Sequence, residues 1–329
     1  MERIMNVCKV LRGGVLSTVQ DLGRKGYYAE GIPMSGAFDT MAYRLGNRII
    51  GNAEPAAGIE VLWGGLVLEF LSSTTIAITG GDLGATLDTK PLPMWQNIKV
   101  SEGQVLAFSG RKTGLRAYVS FIGGLDVPLF LGSRSTYTIL GKGGVEGRKL
   151  QAGDVLSNFA AAPGIKPYPL PDAMRSLYPQ PWKVRMVYGL QYTFFTEESV
   201  KEFAVATWKV THQLDRTGLR LRGPQLKYKD RSAMGRGLGG VDPSNIPTEG
   251  NPLGCIECPA GTELIVLGPD GPCEGGYAKL GTVITADFYL FGQMMQGDEV
   301  IFEPVSLVKA YDALYQQNSI INYSTFAHG

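Results

Sequence analysis

The sequence predicts a mainly β protein built from two domains. Glycine occupies 44 of the 329 positions, and short apolar segments alternate with turns that hold glycine pairs at 64–65, 80–81 and 123–124. Short strands separated by such turns favour a sandwich or barrel over repeated βαβ units. A chain of this length is expected to form two domains rather than one.

One helix and five strands are predicted in the first half, after a turn-rich stretch at 11–36. Asp39 can cap a helix whose apolar stripe contains Met41, Leu45 and Ile49, and Gly51 can end it. The strands that follow are expected at 59–63, 66–70, 75–79, 104–108 and 115–122. Their close spacing predicts one compact β domain at residues 1–160.

A proline-rich segment without apolar periodicity, residues 161–182, is predicted to link the two domains. The second domain is expected at 183–315, and a polar tail at 316–329 is expected to follow it. Helices capped by Thr196 and Asp287 and a last helix from Ser306 are predicted there. The predicted strands of this domain lie at 184–188, 208–212, 219–221, 281–284 and 299–305.

The second domain is organised around a segment rich in glycine and proline, residues 235–282. Glycine allows left-handed backbone and close approach to a ligand, whereas proline fixes φ. Only 263–267 is expected to form a buried strand there. The remainder is predicted to be loop whose N–H groups can face an anion or a carbonyl group, with a plain surface connection as the alternative.

The composition excludes several classes of function. Apolar residues make up 44% and charged residues 19%, which predicts a sizeable core, and the net charge is only +1. Lysine and arginine are scattered singly, so neither nucleic acid nor an anionic membrane surface is expected as a partner. No apolar run is long enough for a membrane span and residues 1–10 lack a signal-peptide core, so a cytoplasmic location is expected.

The common cofactor and metal motifs are absent or lack their context. The GxGxxG-like run at 235–240 follows no apolar strand, and Asp242 with Pro243 prevents a helix after it. Cys255 and Cys258 would supply half a zinc site, but the sequence holds no second pair, so no metal site is predicted. With only two histidines in the chain, a Ser–His or Cys–His nucleophile is not expected either.

Carboxylates and guanidinium groups in polar turns are the remaining candidates. Arg24, Arg134 and Arg216 lie in such segments, where arginine can bind a carboxylate or phosphate. The other polar candidates in turns are Gln20, Asp21, Ser135, Thr136, Asp215, Glu249 and Asp270. The carboxylates among them can act as bases or orient a neighbouring group. A structural ion pair or a turn cap is the ordinary alternative for each.

Several ordered blocks of the sequence resemble one family. They are TVQDLGRKGY (18–27), GIPMSGAFD (31–39), ITGGDLGATLD (78–88), LGSRST (131–136), DRTGLRLRGP (215–224) and GGYAKLGTVITAD (275–287). These blocks are similar to the biotin-dependent carboxyltransferase, or allophanate hydrolase subunit 2, family. That family includes the C subunit of 5-oxoprolinase, KipA-like proteins and part of the carboxyltransferase region of urea carboxylase. The resemblance implies two cyclophilin-like β-barrel domains and a companion subunit 1 or B, which is KipI-like.

The resemblance also implies roles for residues at matching positions. Arg134 and Ser135 are expected to bind a carboxylate or bicarbonate, and Asn245 with the amides of Gly275 and Gly276 is expected to bind the substrate carbonyl. The implied catalytic residues are Arg134, Asp215, Arg216 and Glu249, where Asp215 or Glu249 handles a proton or orients Arg216. The implied substrate-binding residues are Gln20, Asp21, Arg24, Ser135, Thr136, Asn245, Asp270, Gly275, Gly276 and Tyr277. Loops of both domains are expected to close over one polar crevice.

Three functions stay open on the sequence alone. The resemblance implies a subunit of a carboxyltransferase or amidohydrolase complex that acts on an amide, urea or lactam nitrogen. DGPCEGGY (270–277) and GGVDPSNI (239–246) are similar to urea carboxylase segments. The alternatives are the C subunit of an ATP-dependent 5-oxoprolinase, which converts 5-oxoproline to glutamate, and a KipA-like protein that antagonises a kinase inhibitor.

The cofactors of these reactions are expected to sit on other subunits. The sequence contains neither a biotin-attachment motif nor an ATP-binding module. Carboxybiotin would then come from a biotin carboxylase and its carrier protein. ATP would come from those partners or from a lactam enzyme similar to the A subunit of 5-oxoprolinase.

Overall fold

The computed structural model describes residues 4–160, 170, 178, 180–230 and 242–326, with side chains described up to Ile321. The described residues form two compact units. Unit 1 draws on Met1–Arg24, Ser35–Leu177 and Ile320–Gly329, and unit 2 draws on Lys25–Met34 and Tyr178–Ser319. Most of the predicted linker at 161–182 lies outside the described residues, as does the run at 235–240.

Unit 1 is made of two antiparallel sheets and one helix, α1 (Thr40–Ile49). Its strands are β1 (Ile4–Gly13), β2 (Leu16–Gln20), β3 (Gly58–Leu62), β4 (Leu66–Phe70), β5 (Thr74–Gly80), β6 (Ala85–Leu87), β7 (Lys90–Pro91), β8 (Asn97–Val100), β9 (Val105–Phe108), β10 (Arg116–Phe121), β11 (Leu125–Asp126) and β12 (Val155–Phe159). The larger sheet has the order β11-β12-β1-β4-β9-β6-β7, and the smaller sheet has the order β2-β3-β10-β5-β8.

The core of unit 1 combines apolar side chains from both sheets in one buried cluster. In strand β4, Leu66, Leu68 and Phe70 are buried and the residues between them are half-buried. Alternate side chains of a strand point to opposite faces, so one face of this strand contributes to the core. Strand β10 is instead buried at every position, since α1 packs against it and against β5. The side chain of Asp39 accepts a hydrogen bond from the Ala42 N–H at 2.9 Å, which confirms the predicted cap of α1.

Unit 2 is centred on a closed seven-stranded barrel. Its strands and helices are β13 (Trp182–Tyr188), α2 (Glu197–Val205), β14 (Trp208–Leu214), β15 (Gly218–Arg222), β16 (Asn245–Gly250), β17 (Cys255–Glu257), β18 (Leu264–Leu267), β19 (Glu274–Tyr277), β20 (Lys279–Val283), β21 (Glu299–Pro304) and α3 (Leu307–Phe326). The barrel order is β13-β20-β17-β18-β15-β14-β21, and β21 closes it by pairing in parallel with β13. Strands β16 and β19 form a separate two-stranded ribbon.

Every apolar strand predicted from the sequence is present, and the mainly β fold class is confirmed. Thr196 caps α2 as predicted, with its hydroxyl accepting from the Ser199 N–H at 3.2 Å. Helix α3 runs on to Phe326, so that most of the predicted polar tail is helical. No helix in the described part of the chain is both long and apolar enough to cross a membrane.

Three predictions about local structure were wrong. Strand β2 lies inside the stretch predicted to be turns, and β16, β17 and β19 lie where loop was predicted. The ribbon strands β16 and β19 are polar and glycine-rich, so no apolar alternation marks them, and their pairing is what defines them. Asp287 does not cap a helix, because its carboxylate accepts hydrogen bonds from the backbone and guanidinium N–H groups of Arg185, and 288–292 form a short 3₁₀ turn.

Candidate functional site

Asp21, directly after β2, organises the polar loop that contains Arg134. Its carboxylate accepts hydrogen bonds from the Ser133 hydroxyl at 2.6 Å, from the Arg134 N–H at 2.6 Å and from the Ser135 hydroxyl. It also accepts from the Gly23 N–H at 2.7 Å. Because these donors belong to two segments far apart in the sequence, Asp21 fixes its own turn and the backbone of the predicted anion-binding residues together.

Most of the predicted site residues around Asp21 are buried, and their side chains stabilise the loop that contains Arg134. Arg24 donates to the backbone oxygen of Ser135 and lies over the Phe130 ring at 5.3 Å. The amide nitrogen of Gln20 donates to the Thr136 backbone oxygen at 3.2 Å, and the hydroxyl of Thr136 donates to the backbone oxygen of residue 19 at 2.9 Å. The Ser135 hydroxyl is buried and engaged by Asp21, so it supports the loop rather than facing solvent.

Arg134 is the predicted residue of this loop whose side chain reaches the surface. Its guanidinium lies 3.8 Å from Asp126 and 5.0 Å above the Phe159 ring, and the side chain is 27% exposed. These contacts hold the side chain in place while part of the guanidinium remains accessible. Arg134 can therefore meet an anionic group in solvent without giving up its backbone anchor on Asp21.

In unit 2 the structure gives Asp215 and Arg216 separate partners. Asp215 caps its own turn by accepting from the Thr217 N–H at 2.7 Å, the same two-residue pattern that Asp21 makes with Gly23. Arg216 instead binds Asp270 in a two-pronged pair, with nitrogen–oxygen distances of 2.7 and 3.3 Å. Both members are buried, at 8% and 2% side-chain exposure. Within the described part of the chain, the carboxylate seen to pair with Arg216 is thus that of Asp270 and not that of Asp215.

The ribbon carries five of the predicted site residues. Asn245 lies opposite Tyr277, and Glu249 lies opposite Gly275, in the β16–β19 register. Gly276 stands between these two pairs and Tyr277 is exposed. The ribbon therefore brings Asn245, Glu249 and the two glycines onto one element.

Glu249 belongs to a polar group that sequence reasoning recognised only in part. We call the side chains of Gln191, Glu249 and Lys279 the Lys279 cluster. The Lys279 ammonium donates to Glu249 at 3.1 Å and to the Tyr277 backbone oxygen at 3.4 Å. The Gln191 amide donates to both Glu249 oxygens, at 3.1 and 3.2 Å. The Lys279 side chain is only 6% exposed, whereas that of Glu249 is 38% exposed.

Lys279 retains hydrogen-bonding capacity for a ligand. An ammonium group has three N–H donors, and within the described part of the chain two of them are accounted for by Glu249 and the Tyr277 backbone. Sequence reasoning missed Lys279 and Gln191. The available signal was a lone lysine at the start of the buried strand KLGTV, since a lysine is rarely buried unless it is paired or functional.

A buried carboxylate lies next to this cluster. Glu257, on β17, is 4% exposed and Asn251 is 2% exposed. Burial raises the pKa of Glu257, and the nearby Lys279 and Asn251 lower it to a smaller extent. The side chains of Asn251 and Glu257 interact with each other. Apart from this contact, the Asn251 amide and Oε1 of Glu257 have no hydrogen-bond partner of normal geometry among the described residues. The sequence signal that was missed is an acidic residue inside the apolar strand CIE.

Unit 2 also contains a cavity of about 560 Å³ that Glu257 lines. Arg220 on its wall forms an ion pair with Glu263. The other polar residues on the wall are His212, Gln213, Asp215 and Thr217. This volume suits a small polar molecule. The cavity and the Lys279 cluster thus both lie beside Glu257.

The cysteines are not positioned for nucleophilic chemistry. Cys255, Cys258 and Cys273 are buried, and burial raises the pKa of Cys255 and of Cys258 to about 12. A thiol with such a pKa carries almost no thiolate at neutral pH. Among the described residues, no three His, Cys, Asp or Glu side chains come together in a group that could hold a metal ion.

Replacing Glu257 with glutamine is expected to flatten the pH dependence of stability. Burial raises the folded-state pKa of Glu257. The side chain therefore makes its full contribution to folding stability below the ordinary glutamate pKa of about 4.3, and that contribution is lost as the pH rises through the raised pKa. Glu257→Gln stays neutral throughout and should not lose stability in that window. Melting temperatures of both proteins between pH 4 and 8 test this, and curves that stay parallel would contradict it.

Comparison with known proteins places both units in one family. The family model for the carboxyltransferase domain, subdomain A and B, matches residues 30–304. The urea amidolyase of Saccharomyces cerevisiae is 37% identical over 302 residues, covering 89% of this chain but 16% of the relative. The C subunit of the Escherichia coli 5-oxoprolinase is 33% identical over 316 residues and is covered to 94%, as is this chain.

Solved structures agree with the sequence matches. The urea carboxylase of Kluyveromyces lactis superimposes with a TM-score of 0.91 at 33% identity, over 98% of this chain and 30% of that one. The chain thus spans less than a fifth of two urea amidolyases that it matches, at 18% and 16% of their length, and nearly the full length of the 5-oxoprolinase subunit. The chain belongs to the family of the carboxyltransferase domain, subdomains A and B.

Proposed function

We propose that this chain is a carboxyltransferase-type subunit of a multi-component enzyme that acts on a urea, amide or lactam nitrogen. The observation that carries the proposal is the buried Lys279 ammonium, which Glu249 and the Tyr277 backbone hold through two of its three N–H groups. The names of the relatives supply the substrate class, because urea and 5-oxoproline both contain an N–H next to a carbonyl group.

The Lys279 cluster suits the charge changes of such a reaction. When a nitrogen attacks a carboxyl or activated carbonyl carbon, negative charge grows on the oxygen, and a fixed N–H donor in a shielded site stabilises it. The attacking nitrogen must also lose a proton, which a positioned carboxylate can accept. Glu249 fits this second role because Gln191 and Lys279 hold it while part of its side chain stays exposed.

The other predicted residues take narrower roles in this proposal. Arg134 binds the carboxylate or bicarbonate, with Ser135 supporting its loop from behind. Asn245 and the amides of Gly275 and Gly276 bind the substrate carbonyl from the ribbon. The single crevice expected to join Arg134 with the ribbon stays a prediction. If Arg134→Ala or Asn245→Ala leaves turnover unchanged, the replaced residue has no part in the mechanism.

Cofactors and partner subunits are assigned to the rest of the complex. Biotin, carboxylated on a biotin carboxylase with its carrier, supplies the transferred carboxyl group, and ATP supplies the energy for activation. Besides the Arg134 guanidinium, the third N–H of Lys279 is a donor of this chain that fits a carboxylate or ureido oxygen. A companion subunit 1 or B, KipI-like, completes the functional unit in this proposal.

A second candidate function is the C subunit of an ATP-dependent 5-oxoprolinase. The observation that favours it is the alignment with the corresponding Escherichia coli subunit, which covers 94% of both chains. In that case the same cluster would assist the opening of a lactam ring, together with a lactam enzyme similar to the A subunit of 5-oxoprolinase.

Reconstitution of the complex distinguishes the two candidates. The chain is co-purified with its companion subunits, and product formation is measured with ATP, bicarbonate and either urea, a simple amide or 5-oxoproline. Bicarbonate-dependent turnover of urea or an amide that avidin abolishes supports carboxyl transfer. Avidin-resistant formation of glutamate from 5-oxoproline supports the second candidate. No turnover with any of these substrates, together with tight capture of a kinase inhibitor, would overturn both.

A further inference from the structure

An irregularity in the pairing of β14 with β15 builds one wall of the cavity of about 560 Å³. Between two regular pairs of these strands, residues 211–213 of β14 stand opposite Arg220 alone. Two of the three, His212 and Gln213, line the cavity and are exposed, and neither side chain forms a hydrogen bond with another described residue. Bulges re-aim side chains and are frequent next to active sites. This one turns two free polar side chains towards the cavity.

Asp215 lines the same cavity with a carboxylate of which one oxygen is engaged. Oδ1 accepts hydrogen bonds from the Thr217 N–H at 2.7 Å, the Thr217 hydroxyl at 2.5 Å and the Gly218 N–H at 3.3 Å. Oδ2 has no donor among the residues that the structure describes, and Asp215 is exposed. The other acid on the wall, Glu257, is buried, which favours its neutral form. The turn therefore holds one exposed carboxylate in place and leaves Oδ2 open to a ligand.

Arg220 brings a positive charge to the cavity. Its Nη1 atom forms an ion pair with Glu263, which does not line the cavity. A guanidinium has five N–H donors, and no second partner for this one is seen within the described ranges of the chain. The Arg220 side chain is 39% exposed, so its remaining donors are accessible to a ligand.

The two charges stand at a distance that a short aliphatic chain can span. Asp215 accepts from Gly218, and Arg220 lies two residues further along β15 on the same face, roughly 7 Å away at about 3.4 Å per residue. Apolar side chains complete the wall, and they are Leu214, Ile265, Leu267 and Pro272. The cavity thus combines a carboxylate, a guanidinium and an apolar surface, within the volume range of small-molecule sites.

We propose that this cavity binds a small zwitterionic amino acid, with the ammonium group on Oδ2 of Asp215, the carboxylate on Arg220 and a methylene chain between them. A ligand with a single charge would meet a like charge at the other end of the cavity. His212 and Gln213 stand opposite Arg220 and can donate to the same carboxylate. The site goes beyond the proposed function, because none of these side chains takes part in the proposed mechanism.

Three ligands that share one carbon chain test this site. The full chain is titrated with 4-aminobutyrate, and with butyrate and propylammonium, which each lack one of its two charged ends. Calorimetry measures affinity, and ¹H–¹⁵N NMR at the backbone amides of Thr217 and Gly218 locates the ligand. We expect saturable binding of 4-aminobutyrate and about tenfold weaker binding of each analogue, since a hydrogen bond to a charged group contributes about 1.5–3 kcal/mol.

Matched substitutions on β15 and its turn supply the second test. Arg220→Gln and Asp215→Asn should each weaken 4-aminobutyrate binding by about tenfold, for the same reason. Arg222→Gln is the control, because Arg222 is exposed on the same strand but does not line the cavity, and its affinity should match that of wild type. Asparagine can keep the turn, because its amide oxygen accepts the same backbone N–H groups.

Several results would overturn the site. They are no saturable binding of 4-aminobutyrate, NMR shifts that spare Thr217 and Gly218, equal affinity for either single-charge analogue, or equal losses in Arg220→Gln and Arg222→Gln. If Asp215→Asn does not fold, the comparison with butyrate, which lacks the ammonium group, still tests the role of the Asp215 carboxylate. None of these measurements uses turnover, so failure of this site leaves the proposed function standing, and failure of the proposed function leaves this site standing.

Discussion

Replacing Lys279 with methionine is expected to lower kcat/KM of the reconstituted complex by about 10²–10³-fold, the usual cost of losing one fixed donor to a developing oxyanion. Methionine keeps most of the length of the side chain and removes the ammonium that donates to Glu249 and to the Tyr277 backbone. Glu249 still accepts from Gln191 and is partly exposed, so the fold should tolerate the change. Steady-state kinetics with saturating ATP and bicarbonate measure the effect.

The matched control for this variant is Lys209→Met. Lys209 lies on β14 of the same barrel, but its side chain is exposed and belongs to neither the Lys279 cluster nor the cavity wall. Its kcat/KM should stay within twofold of wild type. If folded Lys279→Met keeps kcat/KM within threefold of wild type, the ammonium has no role in turnover and the proposed mechanism is wrong.

Replacing Asp270 with alanine is expected to lower the free energy of unfolding by about 3–5 kcal/mol, because the buried Arg216 guanidinium loses its two-pronged pair with this carboxylate. The pair it forms with Arg216 is two-pronged, with distances of 2.7 and 3.3 Å, and both side chains are shielded from solvent. Asp270 and Arg216 also share a backbone hydrogen bond of 2.9 Å, which positions the two side chains. Urea denaturation followed by tryptophan fluorescence measures the loss.

A double variant supplies the control for this loss. In Arg216→Met with Asp270→Ala, neither member of the pair leaves a charge buried, so part of the stability lost in Asp270→Ala should return. The single and double variants are compared in the same denaturation experiment. Equal stability of the two would show that the loss comes from packing around residue 270 and not from the stranded guanidinium.

The sequence was sufficient for the apolar part of the fold and insufficient for the polar part. Strands such as β4 follow from alternation within five residues, and the cap of α1 follows from Asp39 directly before the helix. The ribbon has no such local signal, since its strands are defined by the pairing of Asn245 with Tyr277, which lie far apart in the sequence. Resemblance to a family supplied what local patterns lacked, namely the functional class.

The candidate site shows the same division. Asp21 was recognised as important, but its partners Ser133 and Ser135 lie 112 and 114 residues further along, so its supporting role could not be deduced. Lys279 and Glu257 were missed because each is a single charge within an apolar strand. Only the structure shows that the two side chains lie close enough for the charge of Lys279 to lower the pKa of Glu257.

The parallel pairing of β13 with β21 has a consequence for how unit 2 forms. Trp182 lies opposite Val300 in this pair, and its indole N–H donates to Asp298 at 2.9 Å. The first strand of the barrel therefore pairs with the last, and the barrel cannot close during translation until β21 has been synthesised. Contacts so distant along the chain slow folding, so unit 2 is expected to reach its native state late and to depend on protection of its open edges until then.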